Sequence, residues 1–328
     1  MSNGKKDKKL DKNGKYSKSH VTPSESKKTL TPEQIEKGLT DTSYNTRLAW
    51  AGRMDFTPTP EQVERGLTDP YFSIRFSWAK RMDFTPTPEQ IERGLKDEEA
   101  YVRQAWAERM DFTPTSKQVE RGLTDSYEIV RTAWAKREDY IPTPKQIKRG
   151  LADGSGEVRH AWTKRHGLVH TPEQIERGLK DANPRVRSYW AKRMDFTPTP
   201  EQVERGLLDS DWLVRLHWVY RMDWTPTPKQ VERGLRDEES HVRQAWVERM
   251  DFTPTPRQVE RGLTDVKATV RMSWAERMDW NPTPEQTERG LHDVDEGVRH
   301  AWEMRVASIL HEIGDNALNP DDMPISLL

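Results

Sequence analysis

Acidic and basic side chains recur together along this chain. Asp41, Arg47 and Arg53 return at 28-residue intervals, accompanied by Glu36-type and Arg65-type residues. Carboxylates beside cations are the raw material of general acid–base chemistry. An enzyme, however, needs one special site, and this constellation is repeated ten times. Repetition argues for a structural role, and no residue is assigned to catalysis. The nine His are scattered. His166 and His170 stand four apart, a spacing that brings two ligands together on a helix, but they flank Gly167 and no third ligand is evident. His311-Glu312 lacks the second His of a zinc-protease motif. The absence of cysteine excludes disulfides, Cys-based zinc sites, iron–sulfur clusters and thiol nucleophiles. No phosphate-cradling Gly-rich loop and no nucleophile elbow occurs. No metal or cofactor is expected.

What positions these residues is a repeat. Thr-Pro-Glu-Gln-Ile-Glu-Lys-Gly-Leu begins at Thr31, and close copies begin at Thr59, Thr87, Thr115, Thr143, Thr171, Thr199, Thr227, Thr255 and Thr283. Trp recurs in step from Trp50 to Trp302, as do Gly38, Leu39 and their equivalents. Each repeat carries two helix signals. Thr-Pro-x-Gln places Thr as N-cap, Pro at the first helical position and Gln to complete a capping box. The first helix runs about nine residues, with Ile35 and Leu39 on one face. Asp41 reads as the N-cap of the second helix, and Pro70 after Asp69 supports that start. In the second repeat Ile74, Ser77, Trp78 and Met82 form one amphipathic stripe. The Pro cluster that follows is the stop. Helices this short are marginal alone, and stacking lets each repeat seal the apolar face of the next. Glycine inside a helix costs about 1 kcal/mol relative to Ala. Its tenfold recurrence calls for close backbone approach, for instance under a Trp ring, or for a left-handed helix end.

These residues resemble a known family. Thr-Pro, spaced aliphatics, Asp, Val-Arg, a small residue and a second Thr-Pro resemble the leucine-rich repeat variant. The Asp97…Val102-Arg103…Ala105 spacing is also similar to HEAT repeats. The resemblance covers residues 31–307. It implies an all-α, right-handed solenoid of ten 28-residue two-helix repeats, with the second helices lining the concave side. In HEAT-like stacks repeated Asp and Arg form ladders between neighbours, so that role is implied for Asp41, Arg47 and their equivalents. Repeats of the family are shorter and lack the recurrent Trp, which leaves room here for a third helical turn. The iron–sulfur cluster known in that family needs cysteines and is not carried over.

Positions that differ between repeats report on what the array meets. Tyr44, Leu48 and Gly52 are spaced four apart, forming one solvent-facing stripe of the second helix. Two repeats load it with large apolar groups: Tyr71, Phe72 and Phe76 in the second, and Trp212, Leu213, Leu216, His217 and Tyr220 in the seventh. Exposed apolar residues of this kind mark either packing on neighbouring repeats or a protein-binding hot spot. Elsewhere the stripe is mixed. Lys136, Lys164, Arg185 and Lys192 make a local basic patch, the basis of an alternative nucleic-acid-binding role. The remaining charges do not form the uniformly basic groove that a duplex requires. The fifth repeat is irregular: His166-Gly167-Leu168-Val169-His170 replaces Met-Asp-Phe-Thr-Pro, and Gly154 and Gly156 loosen the second-helix entrance. Drift, a bend or a hinge would each account for it.

Only 33% of the 328 residues are hydrophobic, a level that hints at disorder, but the net charge of −1 and 13 Trp oppose that reading. Residues 1–28 hold nine Lys against Asp7, Asp11 and Glu25, a net of +6. Residues 1–30 read as a disordered Lys-rich arm, 31–306 as the solenoid and 307–328 as a C-terminal cap (Ala307–Ile313) and tail. No apolar run is long enough to span a membrane and no secretory signal is visible. The expectation is a cytoplasmic, monomeric, non-enzymatic scaffold that binds a protein partner, with nucleic acid as the alternative.

Overall fold

The computed structural model describes residues 30–316. The expected Lys-rich arm lies outside the described residues but for its last position. The described residues form twenty α-helices and no strand. They pair as α1 (Pro32–Leu39) with α2 (Tyr44–Ala51), α3 (Pro60–Leu67) with α4 (Phe72–Ala79), α5 (Pro88–Gly94) with α6 (Ala100–Glu108), α7 (Ser116–Leu123) with α8 (Glu128–Lys136), and α9 (Pro144–Gly150) with α10 (Gly156–Lys164). The second half follows suit with α11 (Pro172–Leu179) and α12 (Pro184–Lys192), α13 (Pro200–Leu207) and α14 (Trp212–Val219), α15 (Pro228–Gly234) and α16 (Ser240–Glu248), α17 (Pro256–Leu263) and α18 (Ala268–Glu276), and α19 (Pro284–Leu291) and α20 (Glu296–Asn316). The chain divides into two compact units, one ending at Trp106 and one starting at Ala107. Within each unit, second helices pack on the second helices of adjacent repeats and on their own first helices.

The first helices begin as their sequence dictates. In all ten, the N-cap Thr hydroxyl accepts from the Gln backbone N–H, and the Gln side chain accepts from the Thr backbone N–H. The second helices start later than Asp41 implies. The N-cap is Ser43 in the first repeat and Tyr71 in the second. The Asp carboxylate instead accepts the N–H of that cap residue, 2.7 Å from Ser43 and 2.9 Å from Tyr71. Pro70 accordingly precedes the helix, whereas Pro184 occupies the first helical position. No third turn is added in α2 or α4, which end at Ala51 and Ala79.

The glycine question resolves as close approach. A Cβ on Gly66 would fall 2.2 Å from the Trp78 ring, and one on Gly206 2.0 Å from Trp218. Neither glycine is left-handed; among the described residues only Gly167 has positive φ, at 71°. Each Trp thus lies flat against bare backbone of its own repeat. Trp78 through Trp302 are about 1% exposed, but Trp50 is only half-buried. Trp302, in the last repeat, is sealed while Trp50, in the first, is not. The preceding repeat therefore supplies the lid. Large-to-small changes at such sites cost about 3–5 kcal/mol.

Methionine does not belong to this core. Met54 and Met82 are 64% and 58% exposed. The preceding residue takes the buried place: Arg81 is 2% exposed and Arg221 1%. Arg137 shows how a guanidinium is tolerated there. Nη1 donates to the carbonyls of Ala107 (2.9 Å) and Arg109 (2.5 Å), Nη2 to that of Phe112 (3.1 Å), and Nε and Nη2 grip Asp139 at 3.0 and 2.5 Å. The guanidinium also lies 4.7 Å over the Phe112 ring and 5.3 Å over Trp134. Every donor has an acceptor, which offsets the desolvation of a buried charge.

Candidate binding surfaces

The repeated Asp and Arg form ladders. Arg47 grips Asp69, Arg75 grips Asp97, and Arg131, Arg159, Arg187, Arg215, Arg243 and Arg271 each grip the Asp 22 residues on. A second ladder joins the first helices, where Glu120 accepts from Arg149 and Gln146 of the next repeat. The Arg149 guanidinium and the Gln146 amide hold the Glu120 carboxyl down at about 2. Glu204 and Glu232 are held at about 2 in the same way by Arg233 and Arg261. Among the described residues no three His, Asp or Glu side chains gather as a metal ion requires. His166 is exposed and His170 half-buried, both outside any helix.

The apolar stripe, expected to face solvent, is only partly exposed. Phe72 opens α4 and is exposed; Phe76, one turn on, is half-buried under the Lys80 ammonium, 5.3 Å from the ring centroid. Tyr71 is exposed and lies 4.7 Å from Tyr44. Trp212 opens α14, 37% exposed, and stacks on His241 of the next repeat at 5.5 Å. Tyr220 ends the same stripe, 54% exposed, while Leu213 and Leu216 are half-buried. His217 turns to the preceding repeat, its Nδ1 2.7 Å from Ser188 Oγ. Burial, then the Lys192 ammonium, lowers its pKa. The stripe is thus part exposed surface and part inter-repeat contact.

The basic residues converge on two adjoining clefts at the irregular fifth repeat. One, of about 460 Å³, is lined by Lys136, Lys164 and Arg185 together with His160 and Tyr189. The other, of about 610 Å³, lies between the fifth and sixth repeats and takes in Lys164, Lys192, Arg165, Arg193 and Tyr189. Arg185 is neutralised in part by Glu157 at 3.3 Å. His160 packs edge-on against Tyr189 at 5.7 Å, and burial lowers its pKa. His170 packs edge-on against Trp190 at 4.8 Å, with neither ring nitrogen hydrogen-bonded. Burial, then Arg193, pushes its pKa down to about 4. His160, Arg165, Tyr189 and Arg193 were not legible as cleft residues. The signal available was the departure from the repeated Met-Asp-Phe-Thr-Pro at His166–His170.

The architecture defines the class: an all-α helical-repeat solenoid built of two-helix repeats. The sequence matches no family model and no curated protein. Among solved structures the chain is similar to one described as a leucine-rich repeat variant with a novel repetitive protein structural motif, at 22% identity and a TM-score of 0.47, covering 75% of this chain and 85% of that one. No helix among the described residues is long and apolar enough to cross a membrane. The stretch expected as a cap, Ala307–Ile313, continues α20, with Ala307, Ser308 and Leu310 exposed and Ile309 half-buried.

Proposed function

We propose that this protein is a non-enzymatic scaffold that binds a protein partner through the variable stripe of its second helices. The observation that carries this reading is the contrast within one helix. In α14, Val214, Trp218 and Val219 are buried, while Trp212 at its start keeps 37% of its surface exposed and Tyr220 at its C-cap 54%. Large aromatics left open on a rigid support are what interface anchors consist of. Pairing of the recurrent Asp and Arg with each other supports the non-enzymatic part, because groups locked in ladders are not free to move protons. Capture of the partner from cell extract with the intact chain, followed by affinity measurement, tests it. Trp212→Ala is expected to weaken binding at least about 30-fold, as for a buried interface Trp, with the fold intact. Unchanged affinity, or unfolding, would make the stripe structural. Nucleic acid is a second reading, favoured by the convergence of Lys136, Lys164, Arg185 and Lys192 on the two clefts. Steeply salt-dependent binding to generic DNA or RNA would support that reading instead.

A further inference from the structure

In eight repeats the Arg at this position grips an aspartate two residues on, from Arg53–Asp55 to Arg277–Asp279, and six of these Arg are buried. In the fifth repeat Gly167 stands where that aspartate belongs. Arg165 keeps the rest of the arrangement. It is 5% exposed, and its Nη1 donates to Ala135 and Arg137 carbonyls and its Nη2 to the Tyr140 carbonyl at 2.9 Å. The two donors that would serve the aspartate, Nε–H and the second Nη2 hydrogen, have no carboxylate acceptor among the described residues; the guanidinium lies 4.5 Å over the Tyr140 ring. Gly167 leaves open space at the position of its missing Cβ, and Arg165 lines both clefts. Lys164 and Lys192 flank it, exposed and without a carboxylate partner among the described residues. The acidic residue of the larger cleft, Asp195, is taken up by Arg193. Arg305 loses its aspartate likewise, to Ala307, but its Nε is sealed from solvent and burial drives its pKa down to about 10.

We propose that the cleft between the fifth and sixth repeats is a carboxylate-binding site, in which an acidic side chain or C-terminus of a protein partner takes the place of the missing aspartate on Arg165. The two donors form the fork that a planar carboxylate fits bidentately, and such pairs are the strong ones. Six buried internal copies show that this guanidinium in this setting holds a carboxylate. The adjoining Lys164 and Lys192 attract acidic chain, and Tyr189, Leu168 and Val169 supply apolar wall. The inference rests on the scaffold reading only in taking the carboxylate from a protein.

The test uses the intact chain and a fluorescein-labelled hexaglutamate peptide, read by anisotropy at low salt, with hexathymidylate as competitor. Wild type is expected to bind the peptide. Gly167→Asp should weaken it at least tenfold by returning the internal partner, and Asp is among the residues that tolerate positive φ. Gly167→Ala, which carries no carboxylate and costs somewhat more than Asp at positive φ, should bind as wild type. So should Ala307→Asp, which changes the net charge equally but elsewhere. Should Gly167→Asp fail to fold, the Lys164→Ala/Lys192→Ala double variant decides, with a severalfold loss expected. No loss in the folded variants overturns the site, and tighter binding of hexathymidylate at the same cleft reassigns it to phosphate. Trp212→Ala should leave the peptide affinity unchanged. A failed stripe with a working cleft, or the reverse, therefore tells the two proposals apart.

Discussion

The junction between the fifth and sixth repeats and that between the seventh and eighth are built from the same template with different completeness. At the seventh–eighth junction three sets of bonds are present. Arg215 holds Asp237 at 2.7 Å, Glu204 takes Arg233 and Gln230 at 2.7 to 3.0 Å, and Arg249 donates to the carbonyls of Val219, Arg221 and Trp224. The Arg249 guanidinium also covers the Trp224 ring at 4.4 Å. At the fifth–sixth junction only the first set is whole, with Arg159 on Asp181 at 2.6 Å. Lys148 replaces the glutamate, so Arg177 faces no carboxylate there. Leu168 replaces the aromatic, and Arg193 reaches a single carbonyl of the fifth repeat, Thr163 at 2.9 Å. Ile175 is half-buried where its counterpart Val231 is 3% exposed. One ladder and the Trp lid are therefore enough to hold the stack; the other bonds can be dispensed with, and the space they leave becomes a cleft.

The sharpest way to break that comparison is to delete the same arginine from both junctions. Arg249→Ala strands three carbonyls and Asp251, and should cost about 3–5 kcal/mol in urea unfolding, the range for breaking a buried ion pair. Arg193→Ala loses fewer partners and should cost no more than about half of that. Equal losses would mean that the carbonyl bonds contribute nothing beyond packing.

A smaller effect is expected from pH. The folded-state pKa of His170 is about 4, below the ordinary 6.5. Between those values the unfolded chain binds more protons, so stability is complete above about pH 6.5 and declines as pH falls to about 4. His170→Pro, which restores the residue of the regular repeats, should remove the His170 share of that decline, on the order of 1–2 kcal/mol after allowing for partial exposure, leaving the smaller share of His160 and His217. Melting curves at pH 7 and 5 check it; parallel losses in both proteins would place the titration elsewhere. The Glu120, Glu204 and Glu232 ladder acts in a separate window, losing its stabilisation only as pH drops from about 4.5 toward about 2.

The smallest effect should come from Lys148→Glu, which rebuilds the missing ladder with Arg177 and Gln174. These side chains are solvent-exposed or half-buried, so the gain should stay within about 1 kcal/mol. Amide hydrogen exchange in α11 should slow if the junction tightens, and unchanged exchange would show that the ladder adds nothing there.

Much of this protein was legible from its residues alone. A strict 28-residue period with Thr-x-x-Gln at each start, Pro following the Thr in all but the fourth repeat, determines the ten first helices, because capping is local and each signal acts within one turn. The tenfold recurrence of Gly allowed either close contact under the Trp or a left-handed helix end, and only the packing decided for contact. The tertiary structure decided which residues are interior. Met82 looked like core by helical periodicity, yet helix α4 ends at Ala79, so the periodicity no longer applied and Arg81 took the buried place. A charged residue is not expected inside, and only neighbouring carbonyls 25 to 30 residues away in sequence make it tolerable there. Asp69 likewise read as a cap because its reach to Arg47 of the preceding repeat is invisible locally. The cleft at the fifth repeat was decided the same way. Glycine in place of aspartate is a single letter in the sequence; that it leaves a buried guanidinium without its carboxylate follows only from where Arg165 is packed.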